Sequence, residues 1–357
     1  MNRCRRLLAP LCIILFGVLA WHGALDGAFV YDDEAIVVKN ESIRSLTPAS
    51  KFLDPSAISS DPRMQKSLWR PVTAFAYAAL YAAGSGAPQP FHAAGIGLHI
   101  LNALLVLWLI TALFRSRTAG LITALVFLLH PAQVESVAWI SALANPLFLT
   151  TYLLAALLFL LAIDTETKAY YPLSAFCFVL SLLSKEMAVT LPMLMAVIVM
   201  LRRRDGQKAT YLSVLPYLAG GVGFAVLRSA VLGQTAQTGY WAGSLYAQAL
   251  TMLKGFAQYV KLALAPYPLS LEYLWPAKQG LDAETALYAL LLSGLLVLGF
   301  KLLRRAPKAG VGILLFAGAL APVSNLIPLT TIINERFLYL SLIGWGLIVS
   351  EILEHSG

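Results

Sequence analysis

Apolar runs close to the length of a membrane-spanning helix recur from one end of this 357-residue chain to the other. That repetition constrains the fold more than any other feature. In hydrocarbon each backbone N–H and C=O must be bonded within the protein, so a run of about 20 apolar residues folds as a helix. A transmembrane barrel would show shorter segments of alternating hydrophobicity. Charged residues make up 12% of the chain, against about 25% in an ordinary soluble domain. The chain therefore reads as an all-α polytopic membrane protein, a single domain over 1–357.

The net charge of +8 points to orientation and not to nucleic acid. Basic groups at Arg3, Arg5 and Arg6, at Arg115 and Arg117, at Arg202, Arg203, Arg204 and Lys208, and at Lys301, Arg304, Arg305 and Lys308 flank apolar runs. The positive-inside rule places them in the cytoplasm. With Lys168 they hold 14 of the 26 Lys and Arg, while 13 of the 18 acids fall on the opposite side. Alternation from these flanks gives ten spans, near 7–25, 92–114, 118–134, 146–163, 169–184, 187–201, 209–228, 284–303, 309–328 and 337–354. Both termini are then cytoplasmic, in the cell's inner (plasma) membrane. Residues 1–25 have the basic start and apolar middle of a signal peptide, but no small-x-small cleavage site follows, so they read as an uncleaved first span.

Two external regions interrupt the alternation. The first, 26–91, is the longest hydrophilic stretch and is punctuated by Pro48, Pro55, Pro62 and Pro71. Its 70–83 portion is apolar but short, which suits a helix lying at the interface. The second, 229–283, contains 246–265, with Lys254 and Lys261 on one face, and is read as another interfacial helix ended by Pro266 and Pro268. The pair 169–184 and 187–201 reads as a tight hairpin with Lys185 and Glu186 at its outer tip.

The motifs with chemical content all lie on the acid-rich side. Asp32 and Asp33 follow the first span directly, and adjacent acids repel unless a cation, a proton or a substrate lies near. Either can serve as a general base for a hydroxyl, or both can be a solvated turn. They also offer part of a divalent-metal site, which is not favoured because no His or further ligand lies nearby in sequence. Arg70 offers a planar fork suited to phosphate oxygens, with headgroup snorkelling as the plainer alternative. His130 and Glu135 are about 140° apart on a helix, too far for a tight ligand pair, and helix-end capping accounts for them equally well. Lys185 with Glu186, and Glu335 with Arg336, put opposite charges side by side at span ends, where ionisable groups are costly unless paired, hydrated or used.

Taken in order, these blocks carry a resemblance. The series Val30-Tyr31-Asp32-Asp33, Leu68-Trp69-Arg70-Pro71, His99-Ile100-Leu101-Asn102, His130-Pro131-Ala132-Gln133-Val134-Glu135, Ser184-Lys185-Glu186 and Glu335-Arg336-Phe337-Leu338-Tyr339 resembles the membrane domain of the transmembrane-and-tetratricopeptide-repeat O-mannosyltransferases and their bacterial relatives, within the GT-C superfamily. The resemblance implies a GT-C-like bundle of about ten transmembrane helices. It further implies inverting transfer of a sugar, mannose among the candidates, from a polyprenyl-phosphate donor to a hydroxyl of an acceptor protein or glycan, on the extracytoplasmic face. It assigns the catalytic base to Asp32 or Asp33 and the donor phosphate to Arg70, Lys185 and Arg336, with His130, Glu135, Glu186 and Glu335 supporting. The chain departs from the family at Ala142-Leu143-Ala144-Asn145, where many relatives carry a Gly-Arg-x-Asp-like stretch. The C-terminal repeat domain common in relatives is expected to be absent or truncated in this sequence, which then reads either as a fragment or as a bundle that works without the repeats. A lipid or solute transporter and a non-catalytic GT-C-like scaffold remain the alternatives. The first would need polar groups near span centres and a second, cytoplasmic gate.

Overall fold

The computed structural model describes residues 2–236 and 239–356. Among them the regular structure is helical and contains no strand. The α-helices run α1 (Asn2–Trp21), α2 (Pro62–Ser67), α3 (Pro71–Gly84), α4 (Gln89–Phe114), α5 (Arg117–Leu129), α6 (Val134–Val137), α7 (Ala144–Thr165), α8 (Tyr170–Ser184), α9 (Leu191–Arg204), α10 (Leu215–Leu232), α11 (Leu245–Leu264), α12 (Ala283–Arg305), α13 (Pro307–Ala319) and α14 (Leu338–Ser356). Local chemistry sets their ends. Ser116 caps α5 by accepting from the Ala119 N–H at 3.0 Å. Asp282 caps α12 by accepting from the Thr285 N–H at 2.8 Å and its hydroxyl at 2.6 Å. A side-chain oxygen satisfies an otherwise orphan N–H in each first turn.

Each of the ten expected spans has a helix in its place, but they are not equal. Among the described residues six helices are long and apolar enough to cross a membrane, or seven if α5 and the segment Pro131–Val137 beyond a 60° bend count as one. The expectation of about ten full spans needs that correction. Helices α8, α9 and α13 have 15, 14 and 13 residues, so at about 1.5 Å per residue they fall short of a hydrocarbon core of roughly 30 Å. The physical reason for α8 and α9 is the polar segment between them. The chain leaves the helix at Lys185, which is 3% exposed, so the hairpin tip is buried within the protein.

The helices have two polar ends. At one, the fully buried Arg202 of α9 donates to Asp164 of α7 at 2.6 and 3.0 Å and to the Ala112 and Leu113 carbonyls of α4 at 2.8 and 3.1 Å. Nearby, Glu354 of α14 takes Lys308 and the Ser116 hydroxyl, and Glu351 accepts the Lys308 N–H at the start of α13. At the other ends of α7 and α14 lie Asn145 and Arg336. Helices of 22 and 19 residues separate the two ends by roughly 30 Å. Between them, α13 and α14 cross where Gly312 and Gly344 meet. A Cβ on Gly312 would fall 2.5 Å from the Gly344 carbonyl oxygen, the small-residue contact that lets membrane helices approach closely.

A buried polar chain ties α4, α5, α7 and α14 together beneath that second end. Asn102 donates to the Tyr339 hydroxyl oxygen at 3.2 Å and to the Pro146 carbonyl at 2.9 Å, and its own oxygen accepts from Thr150 at 2.8 Å. With the Nε2 proton of His99 on the Leu128 carbonyl at 3.1 Å, its Nδ1 is left to accept the Tyr339 hydroxyl at 2.9 Å. His99, Asn102 and Tyr339 are all fully buried. Removing one hydroxyl here leaves a buried donor and acceptor unsatisfied, at a cost of about 1–3 kcal/mol. Tyr339→Phe is expected to lower stability by that amount, read as a fall in the thermal midpoint of the detergent-solubilised protein. A midpoint equal to the parent's would show that the hydrogen-bond chain does not fasten α4 to α14.

Candidate functional site

A cavity of about 440 Å³ opens at the second polar end, within the range of about 300–1,000 Å³ common for small-molecule sites. Its wall includes Asp32, Arg70, Lys185, Glu186 and Arg336. These residues come from four separate stretches of chain, and the structure brings them into one space.

The turn after α1 separates the two neighbouring acids. Asp33 folds inward: its Oδ2 accepts the Val30 N–H at 2.9 Å and its Oδ1 accepts the Ser141 N–H at 2.8 Å and the Ser141 hydroxyl. It is fully buried and does not line the cavity. Closing that turn puts Tyr31 in the left-handed region at φ 53°, where a non-glycine residue is uncommon, and faces Asp32 to the cavity. Burial pushes the Asp32 carboxyl above its ordinary value, as do Asp33 and Asp61, while Arg336 and Arg63 pull it back. The sequence left the two acids equivalent. The structure makes Asp33 the anchor of the turn and Asp32 the carboxylate that faces the cavity.

The cations differ as sharply. Arg70, at the entry to α3, forms a fork on Glu186, Nε to Oε2 at 3.0 Å and Nη2 to Oε1 at 2.6 Å. Burial alone would raise the Glu186 carboxyl, but the Arg70 guanidinium overrides it and holds the group well below the usual carboxylate range. Arg336 is held by Glu135, which accepts its backbone N–H at 2.7 Å and takes its guanidinium, and its charge lies over the Trp139 ring at 5.3 Å. Among the described residues Lys185 meets no carboxylate; its ammonium is held by the Asn145 amide oxygen and sits 5.9 and 5.7 Å from the Phe148 and Phe337 rings. Burial pushes its amine well below the ordinary lysine value, with Arg70 and Arg336 acting the same way and Glu186 and Glu135 against.

The remaining expected site residues stand behind the wall. Glu135 positions Arg336. His130 caps the turn beyond α5, its Nδ1 accepting the Ala132 N–H at 3.2 Å, and its Nε2 meets the Ala263 carbonyl of α11 at 3.1 Å. Glu335 turns away, accepting the Ser270 N–H and the Tyr273 hydroxyl at 2.6 Å each, and so fastens the second external region. Neither His130 nor Glu335 lines the cavity. Sequence reasoning gave no role to Ser141, Trp139 or the rim pair Arg63–Asp61 at 2.9 Å, and met Asn145 only as part of the departure at 142–145. Among the described residues no three His, Cys, Asp or Glu side chains gather to hold a metal ion, and the oxygens of Asp33 are taken by N–H and O–H donors.

These features define a multi-pass, all-α membrane protein with a charge-lined cavity at one end of its helices. Its sequence is similar to protein O-mannosyl-transferases. It is 29% identical over 208 residues to Protein O-mannosyl-transferase TMTC1 of Mus musculus, covering 53% of this chain and 22% of that one. It is 27% identical over 169 residues to Protein O-mannosyl-transferase Tmtc1 of Drosophila melanogaster, covering 46% and 20%, and 28% identical over 180 residues to Protein O-mannosyl-transferase TMTC4 of Mus musculus, covering 45% and 23%. The match spans only 20–23% of the length of these relatives. No family model matches the chain, and no solved structure matches it.

The different duties of the two acids are separable by stability. Asp33→Asn puts an amide donor against the Val30 or Ser141 N–H and is expected to cost about 1–3 kcal/mol. Asp32→Asn replaces a carboxylate disfavoured by burial, with no hydrogen-bond partner among the described residues, and should change stability by less than about 0.5 kcal/mol. Thermal unfolding of both variants checks this, and equal losses would contradict the assignment.

Proposed function

We propose that this chain is an inverting glycosyltransferase that moves a sugar from a polyprenyl-phosphate donor to a hydroxyl of an acceptor protein. The observation that carries the reading is that Asp32 and the cations Arg70, Lys185 and Arg336 line one cavity. The names of the relatives favour mannose as the sugar and protein as the acceptor. The basic end, with Arg202, Arg204 and Lys308, fits the cytoplasmic side by the positive-inside rule, which supports an extracytoplasmic cavity.

In this reading the acceptor oxygen attacks the anomeric carbon opposite the phosphate. Its proton passes to the Asp32 carboxylate, the bond from carbon to phosphate oxygen breaks, and the electron pair leaves with the polyprenyl phosphate. Negative charge grows on the departing phosphate as the bond breaks, and fixed cations that meet it lower the barrier. Support for a lipid-borne donor comes from a second, apolar cavity of about 750 Å³ between α11, α12, α13 and α14, whose wall includes Leu320, Ala321 and Ser324. The same stretch of chain, at Pro322 and Val323, walls the charged cavity, so a prenyl tail in one can be continuous with a phosphate in the other. Helix α11, read as interfacial, walls the apolar cavity.

Asp32→Asn is expected to lower transfer by about 10²–10⁴-fold, the usual contribution of a general base, with unchanged protein level in the membrane. The assay is incorporation of label from polyprenyl-phosphate sugars into protein. Because burial raises the Asp32 pKa, the base is lost on acidification sooner than for an ordinary aspartate. The acid limb of kcat/KM should therefore lie above 3.8. Full activity in Asp32→Asn would remove the proposed base.

A further inference from the structure

Among the described residues the cations lining the cavity are each paired with a carboxylate, with one exception. Arg63 is paired with Asp61 at 2.9 Å, Arg70 with Glu186 at 2.6 Å, and Arg336 with Glu135. Among the described residues Lys185 has no carboxylate within ion-pair distance; its ammonium rests on the side-chain oxygen of Asn145. Asn145 is 1% exposed, in the first turn of α7, and the buried chain described above holds the carbonyl of the next residue, Pro146. An amide oxygen satisfies one donor of the ammonium and adds no charge, whereas a carboxylate in that place would neutralise it.

We propose that Asn145 is a positioning residue of this site: its neutral amide fixes Lys185 at the cavity wall as a cation without a carboxylate partner, so that the phosphate of the donor supplies the first full negative charge to reach it. This rests on the reading of the cavity as a phosphate site. Arg70 and Arg336 are fixed and already neutralised, and their hydrogen-bonding edges orient the phosphate. Lys185 provides the one cation of the wall without a carboxylate partner in contact, set to meet the single negative charge of a phosphodiester. The groups that act on the ammonium are Asn145 from α7, Arg70 at the entry to α3, Glu186 beside it in the chain, Glu135 from α6 and Arg336 before α14. Without a full counter-charge, a buried amine gives up its proton below the ordinary lysine range, so anion binding weakens as the pH rises.

The test uses the detergent-solubilised full chain and a short-chain prenyl methyl phosphodiester, which keeps a single charge across roughly pH 5–9 because phosphodiesters ionise far below that range and carries no sugar. Binding to the parent protein should weaken at least tenfold as the pH rises and Lys185 loses its proton. Asn145→Asp should bind about tenfold more weakly at the acid end and stay nearly flat, so that the two curves converge at high pH. Lys185→Arg, whose guanidinium stays charged, should bind with no alkaline decline, and it keeps the test decisive if Asn145→Asp does not fold. Parallel curves for the parent and Asn145→Asp, or an alkaline decline that survives in Lys185→Arg, would overturn the proposal. Since the probe needs neither sugar nor acceptor, a chain that fails to transfer sugar yet shows converging curves would refute the transferase reading and leave this one standing.

Discussion

The cavity depends on the buried hydrogen-bond chain that runs Asn102, Tyr339, His99, Leu128. Helices in lipid gain little from hydrophobic association, because the surrounding tails are as apolar as their side chains. Specific contacts must therefore set which helix faces which, and how far each has slid along its neighbour. Tyr339 lies three residues after Arg336, and the Pro146 carbonyl follows Asn145. Fastening both to Asn102 at 3.2 and 2.9 Å sets the height of α7 and α14 in common. Slippage by one residue would move a site residue by about 1.5 Å and turn it by about 100°.

Above that fastening, oppositely charged groups from distant parts of the chain meet. Ions taken out of water are costly singly and tolerable in well-bonded pairs. The forks of Arg70 on Glu186 and of Glu135 on Arg336 are such pairs. They also join elements: the first places the external region after α1 against the hairpin between α8 and α9, and the second joins α6 to the start of α14. In a wall built this way the geometry of the cations is set before any ligand arrives.

Helix positions were legible in the sequence because length, period and basic flanks are local properties. All ten expected spans have helices, yet α8, α9 and α13 are shorter than a membrane crossing, and for α8 and α9 the burial of Lys185 between them sets that limit. The site was legible as a set of blocks and not as a set of roles. Asp32 and Asp33 are adjacent and chemically alike, and only the turn closed by Val30 and Ser141 tells them apart. Arg336 and Glu135 lie 201 residues apart, and Arg70 and Glu186 116 apart, so no spacing rule announces either pair. Glu335, equal to Arg336 as a sequence signal, turns out of the wall to hold Ser270 and Tyr273.

The pairing pattern bears on catalysis as well as on stability. In the proposed reaction charge moves from the acceptor to the departing phosphate, and the favourable environment is one whose dipoles and ions already point at that charge and need not reorganise. A guanidinium clamped by its own carboxylate meets this condition, since its orientation is fixed and its net charge is small. It guides a phosphate without binding the product so firmly that release fails. Asp32, disfavoured as an anion by its surroundings, accepts a proton more readily than an aspartate in water. Paired cations beside an uneasy carboxylate are what a transfer site at the edge of a bilayer requires, and in this chain both arise from groups that lipid would otherwise exclude.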